Sequence, residues 1–119
     1  MLTHTFCHLH RVSPRIEQQL WSQGVDSWDA LSAAPERLAP ARREALCRQV
    51  DDSRHHLSSR NAGYFGASLP SDQSWRLFGE FREQVAYIDI ETTGLSGAGD
   101  EITTIALYDG RSVRHYVNG

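Results

Sequence analysis

The sequence predicts a mixed α/β fold in which a helical N-terminal region precedes three antiparallel strands. Up to residue 57, apolar residues recur at helical spacing behind capping residues, as at Ser13, Ile16 and Leu20. From Val85 onward the pattern changes to short β-branched runs separated by turn residues. With 119 residues the chain can build one compact domain, or a small helical unit and part of a second.

Taken in order, Ser13 can cap a helix and Pro14 suits its first turn, Ile16 and Leu20 give it an apolar face, and Gly24 is placed to end it. Ser27 then caps a short second helix carrying Trp28 and Leu31. Pro35 and Pro40 interrupt the chain, and Ala41 to about Leu57 reads as a third helix with Leu46, Val50 and Leu57 near one face. Arg42, Arg43 and Arg48 on its other face alternate with Glu44, Asp51 and Asp52, the pattern of a solvated surface. Residues 58–70, with Asn61, Gly63 and Gly66, read as a linker in which Tyr64 and Phe65 favour docking over free motion. Ser71 can cap a further helix reaching Phe81, with Trp75, Leu77 and Phe78 as apolar residues that would lie on the sheet. This divides the chain into a helical region at 1–57, a linker at 58–70 and a sheet-bearing region at 71–119.

In that last region Val85 to Ile90 reads as a buried strand, Ile102 to Tyr108 as a second, and Val113, His115 and Val117 mark a third. Ser96-Gly97-Ala98-Gly99 forms the first turn, and Asp109-Gly110 is a strong two-residue hairpin signal. Side chains alternate along a strand, so Asp89 and Glu91 project from one face while Ala86, Ile88 and Ile90 project from the other. Two carboxylates held side by side raise each other's pKa unless a cation intervenes. Hard oxygen donors suit Mg²⁺ or Mn²⁺, which bind through one or two carboxylates together with phosphate oxygens. Gly94, after Thr92 and Thr93, would let the backbone come close to whatever lies across the metal.

The run Asp89-Ile90-Glu91-Thr92-Thr93-Gly94-Leu95 resembles the first motif of the DEDD 3′-to-5′ exonucleases, which have a ribonuclease H-like fold. The flanks are similar to the YprB-like branch of that superfamily: Leu69-Pro70, Trp75-Arg76-Leu77-Phe78 and Phe81-Arg82 before the strand, Asp100, Ile102-Thr103 and Leu107-Tyr108-Asp109-Gly110 after it. The resemblance covers roughly the C-terminal half of the chain. It implies that Asp89 and Glu91 are catalytic and bind the metal, and that Thr92, Gly94 and Leu95 shape the pocket for a terminal nucleotide. It also implies a two-metal site with Mg²⁺ or Mn²⁺ and a single-stranded DNA or RNA 3′ end as partner. The family completes its site with two more Asp and a Tyr or His from later motifs. His115-Tyr116 does not match the last of these, so the strands are expected to be the first three of an incomplete ribonuclease H-like sheet. The missing groups would come from a further C-terminal part or a second subunit, and the outer strand would keep an open edge.

The same branch places a helix-hairpin-helix segment before the nuclease domain, and residues 1–57 resemble it. Where the common hairpin reads Leu-Pro-Gly-Ile-Gly-Pro, this chain reads Leu9-His10-Arg11-Val12-Ser13-Pro14, so both glycines that would present N–H groups to phosphate are replaced. Arg11 and Arg15 could touch phosphate; the alternative is a packing unit built on Ile16, Leu20 and Trp28. A zinc site from Cys7-His8-Leu9-His10 with His55-His56 has no recognised ligand spacing on either side.

A formal net charge of −3 is not the footprint of a strong nonspecific nucleic-acid binder, so any phosphate-binding surface must be local. All 12 basic residues are Arg. Cys7 and Cys47 do not make a disulfide framework, no apolar run has membrane-spanning length, and the first residues lack the features of a signal peptide; a soluble cytoplasmic protein is expected. Three readings of function remain. One is a metal-dependent exonuclease, catalytically incomplete in this chain; another is a non-catalytic module binding nucleic acid or protein; the last is a fragment of a larger reading frame.

Overall fold

A computed structural model describes residues 1–33, 38–94 and 97–119. Pro35, Leu95 and Ser96 lie outside the described residues. The chain forms two compact units, Met1–Phe81 and Arg82–Gly119. The first is helical and the second is a three-stranded sheet.

The helical unit begins with a single 3-10 turn, Leu2–His4, followed by α1 (Pro14–Ser22), α2 (Trp28–Ala33), α3 (Pro40–Ser58) and α4 (Ala62–Ser68). Local capping chemistry sets the ends of α1 and the start of α2 as expected. The Ser13 hydroxyl accepts from Ile16 N, Pro14 occupies the first turn, and Gly24 follows α1 with a φ of 76°, a conformation that favours glycine. The Ser27 hydroxyl accepts from Ala30 N at 3.1 Å and so starts α2. Arg11, standing where the hairpin pattern has its first glycine, takes a φ of 61°. That left-handed conformation costs a non-glycine residue about 1 to 2 kcal/mol.

The core gathers Leu2, Phe6, Val25, Trp28, Leu31, Val50, Phe65 and Phe81, each almost wholly shut from solvent. Trp28 satisfies its indole N–H on Thr5 O at 2.9 Å, so a large ring is buried with no orphaned donor. Phe65 belongs to α4, so the stretch read as a linker carries a helix that anchors the core; Asn61 caps it by accepting from Tyr64 N. Ser71–Leu77 is 3-10 rather than α-helical, and only Phe78–Phe81, α5, continues as an α turn. Ser71 is not the cap expected of it, because the N-cap position falls to Pro70, whose side chain has no acceptor. Phe81 packs into the helical core, its ring 5.8 Å from Phe65, and residues 71–81 belong to the helical unit.

One buried ion pair ties this unit together. Glu17, 1% exposed, accepts from Arg76 Nη1 at 2.7 Å and from the Cys7 and Phe6 backbone N–H groups. It thereby satisfies the turn before α1 and holds the 3-10 segment against it. Among the described residues no helix is long and apolar enough to cross a membrane.

The sheet unit holds β1 (Tyr87–Thr92), β2 (Ile102–Tyr108) and β3 (Val113–Val117) in the order β1-β2-β3, all antiparallel. This is the expected meander. The β2–β3 connection is a four-residue loop, since Tyr108 pairs with Val113, and not a two-residue hairpin. The Asp109 carboxylate fixes it by accepting from Arg111 N and Ser112 N at 3.0 and 2.9 Å.

The expectation of a buried first strand is overturned. Every residue of β1 is exposed, with Ile88 at 60% and Ile90 at 51%. The reason is architectural: a buried strand needs layers on both faces, and the described residues of Arg82–Gly119 form beyond the strands only the short 3-10 turn Arg82–Gln84.

Candidate functional site

The pairing register fixes which side chains share a face. Asp89 is opposite Ala106 and Ala106 opposite His115, while Glu91 is opposite Thr104 and Thr104 opposite Val117. Tyr87, Asp89 and Glu91 therefore form one column, flanked by Tyr108, Ala106 and Thr104. Ile88, Ile90, Ile105, Leu107 and Tyr116 populate the other face. The two carboxylates stand on one face as the alternation predicts. His115 shares that face but is separated from Asp89 by the whole of β2, about 10 Å at the usual strand spacing.

The register slips between Glu91 and Thr92, where Thr92 pairs with Ile102. This irregularity ends the ladder just past the carboxylates and turns the backbone at the position of the Thr-Thr-Gly sequence. Thr93 continues the contact in a different form: its N–H donates to Glu101 O, and its hydroxyl accepts from Glu101 N, both at 2.9 Å. The Thr92 hydroxyl donates to Gly94 O.

Gly94 has a reason to be glycine that the sequence did not reveal. A Cβ there would lie 2.5 Å from Asp100 Oδ1 and 2.8 Å from its Cγ. The Asp100 carboxylate fills that space and accepts from Gly97 N, closing the turn between β1 and β2. Asp100 was legible only as a flank of the motif; its contact with Gly94 depends on how the turn folds back.

Two carboxylates, exposed on one face of one strand, suit a hard divalent cation that fills its remaining positions with water and phosphate oxygens. They do not by themselves make a two-metal centre. Among the described residues no group of three or more His, Cys, Asp or Glu is placed to hold a metal ion. Of the other expected site residues, Thr92 and Gly94 adjoin the pair, and Leu95 lies outside the described residues.

The zinc reading fails on the chemistry of its donors. His8 is buried between Trp28 and Phe65, and its Nε2 lies 2.9 Å from Ser53 Oγ. Ser53 gives its only hydroxyl proton to Gln49 O at 2.7 Å, so His8 must donate to Ser53 and carries its proton on Nε2. Burial, and then the Arg76 charge, bring His8 down to about 4. Burial first, then the charge of Glu17, push the Cys7 thiol up to about 11, which opposes the thiolate a metal requires. His56 stacks on Tyr64 with ring centroids 3.9 Å apart.

Compared with known proteins, the chain matches no family model, no curated protein and no solved structure.

Proposed function

We propose that this is an exonuclease-like protein that acts on nucleic-acid phosphodiesters from a 3′ end with a divalent cation, Mg²⁺ or Mn²⁺, and that the chain holds only part of the catalytic centre. The observation that supports it most is the placement of Asp89 and Glu91 on one exposed face of β1, immediately before the Thr92-Thr93-Gly94 turn. Asp89 and Glu91 would hold the cation, which when bound would activate water and steady the leaving oxygen. Thr92 and Gly94 would border the terminal nucleotide, with Leu95 beside them in sequence. The Asp100 carboxylate, packed against Gly94 and accepting from Gly97 N, supports the backbone next to the carboxylates, which favours the preorganisation a reacting phosphate needs. A ribonuclease H-like identity for the sheet belongs to the same proposal. The remaining acids would come from a second subunit or a further segment.

A non-catalytic module that binds nucleic acid or protein is the second reading. It is favoured by the exposed sheet, which offers an apolar face and the outer edges of β1 and β3 within its unit.

The deciding assay is Mn²⁺-dependent shortening of 5′-labelled single-stranded DNA and RNA, with Asp89→Asn prepared identically. Stepwise shortening from the 3′ end that Asp89→Asn abolishes is the expected result for a completed site. Equal, background-level traces from both folded proteins would remove catalysis by this chain and leave the binding module.

A further inference from the structure

Next to the carboxylate pair, on the same face of the sheet, lies a cavity of about 250 Å³ bordered by Arg82, Val85, Tyr87, Tyr108 and Arg111. Glu83, Asp109 and Gly110 complete its lining. All of these residues belong to the sheet unit. Tyr87 and Tyr108 are direct cross-strand partners, and their rings are loosely stacked, with centroids 6.1 Å apart and planes inclined by 29°. Both are well exposed, Tyr87 at 51% and Tyr108 at 42%. Aromatic rings ordinarily move to a core, so a stacked pair this exposed, in a cavity that two Arg also line, offers an outer ring face with cations at its border.

We infer that Tyr87 and Tyr108 form a stacking platform for one base of a single-stranded nucleic acid, with Arg82 and Arg111 taking the adjoining phosphate. The inference rests on the exonuclease-like reading for its substrate class and adds where the strand lies. Asp89 follows Tyr87 by two residues on the same face, a separation of about 6.6 Å along the strand, close to the length of one nucleotide step. A base on the platform thus sets the next phosphodiester against Asp89 and Glu91. The cavity is smaller than drug-sized pockets, which suits a single nucleotide unit rather than a longer segment.

The charges decide which interaction dominates. Arg82 and Arg111 share the lining with Glu83 and Asp109, so the cavity has no formal excess of cations. Asp109 is engaged in its own loop, accepting from Arg111 N, Ser112 N and Arg114 Nη2. Phosphate attraction is therefore small and stacking carries the affinity, which separates this surface from one that binds by charge. Stacking on an aromatic side chain changes affinity by about five- to hundredfold per base. Neutralising one phosphate of a single strand gives a logarithmic salt slope of only about 0.7.

The test is fluorescence anisotropy of a short labelled single-stranded oligonucleotide, and of an abasic oligomer of equal length, against the full chain in EDTA. The expected result is a clear preference for the base-bearing oligomer, a salt slope of magnitude below about 1, and a loss of about tenfold in Tyr87→Leu/Tyr108→Leu. Tyr87→Phe keeps the ring and should bind as the parent does, and Asp89→Asn should bind no more weakly. Equal binding of the two oligomers, unchanged binding by the double leucine variant, or no binding to either would overturn the platform. If the leucine variant unfolds the sheet, Tyr87→Phe and the abasic comparison still decide. Platform binding without metal-dependent shortening would retain this inference and remove the nuclease reading. Shortening with an unchanged KM in the folded leucine variant would do the reverse.

Discussion

In the helical unit Phe6, Trp28 and Phe65 are shut from solvent around a buried ion pair, whereas in the sheet unit no described residue is buried. The first unit therefore draws on apolar burial and the second chiefly on its backbone ladder. Burial of a large side chain contributes about 1.5 to 3 kcal/mol, and a net hydrogen bond about 1. A sheet of three strands gains independent stability when a face is covered. The candidate carboxylates thus sit on the less stabilised half of the molecule, while the half without an identified site carries the core. Low local stability is common in segments that must order around a ligand.

The largest test of this contrast is Glu17→Gln. It leaves the Arg76 guanidinium buried without its carboxylate, a change that typically costs about 3 to 5 kcal/mol. All three Trp, at 21, 28 and 75, lie in the helical unit, so tryptophan fluorescence during urea unfolding reports that unit alone. The midpoint should fall steeply. Glu17→Leu/Arg76→Leu should recover most of the loss, because no unpaired charge remains. Amide exchange along β1 to β3 should be faster than along α3 in the parent protein; equal protection in both units would end the comparison.

Acid provides the next largest effect, and it also falls on the helical unit. His8 stays neutral in the folded chain down to about pH 4, whereas in the unfolded chain it takes up a proton near pH 6.5. Between those values the unfolded state binds more protons, so stability declines as pH falls from 6.5 to 4, by roughly 3 kcal/mol in all. Protonation would place a second N–H on Nδ1, which is buried and has no hydrogen-bond partner among the described residues. Urea unfolding at intervals across this window should show the decline, and His8→Leu should flatten it. The Glu80 carboxylate, held low first by its hydrogen bond from the N-terminal ammonium, is lost separately, below its ordinary range. A decline confined to that lower range would exclude His8 as its cause.

The split between the two units also explains what could be read from sequence. Caps and turns act over a few residues, so Ser13, Ser27, Gly24 and the bounds of β2 and β3 were legible, as was the common face of Asp89 and Glu91. Burial depends on what another part of the chain supplies. The run around Ile88 and Ile90 has the composition of a covered strand, but no residue pattern within it states whether a covering layer exists. Phe65 sits among small and polar residues and reads as loop, yet its ring is fixed by Phe81 and His8 from elsewhere in the chain. Glu17 and Arg76 are 59 positions apart, and each alone looks like an ordinary surface charge. The Tyr87–Tyr108 pair depends on the β1–β2 register, which the long connection between those strands leaves open in the sequence, and its exposure depends on the same unstated covering.

The smallest effect is the one that speaks most directly about the candidate site. Gly94→Ala puts a methyl group where the Asp100 carboxylate lies, and Asp100 must swing away from Gly97 N. The lost contact should cost the sheet unit about 1 kcal/mol, read as faster amide exchange in β1 and β2, with the tryptophan-detected unfolding of the helical unit unmoved. Asp100→Ala should cost a similar amount by removing the same acceptor. Because both substitutions break one contact, their effects should not add: in the Asp100→Ala background the carboxylate atoms nearest the methyl group are gone, and Gly94→Ala should cost less than in the parent. The coupling, about 0.5 to 1 kcal/mol, measures how firmly the turn beside Asp89 and Glu91 is clasped. Strict additivity would mean that the clasp contributes nothing, and that glycine at 94 serves the backbone, not the carboxylate packed against it.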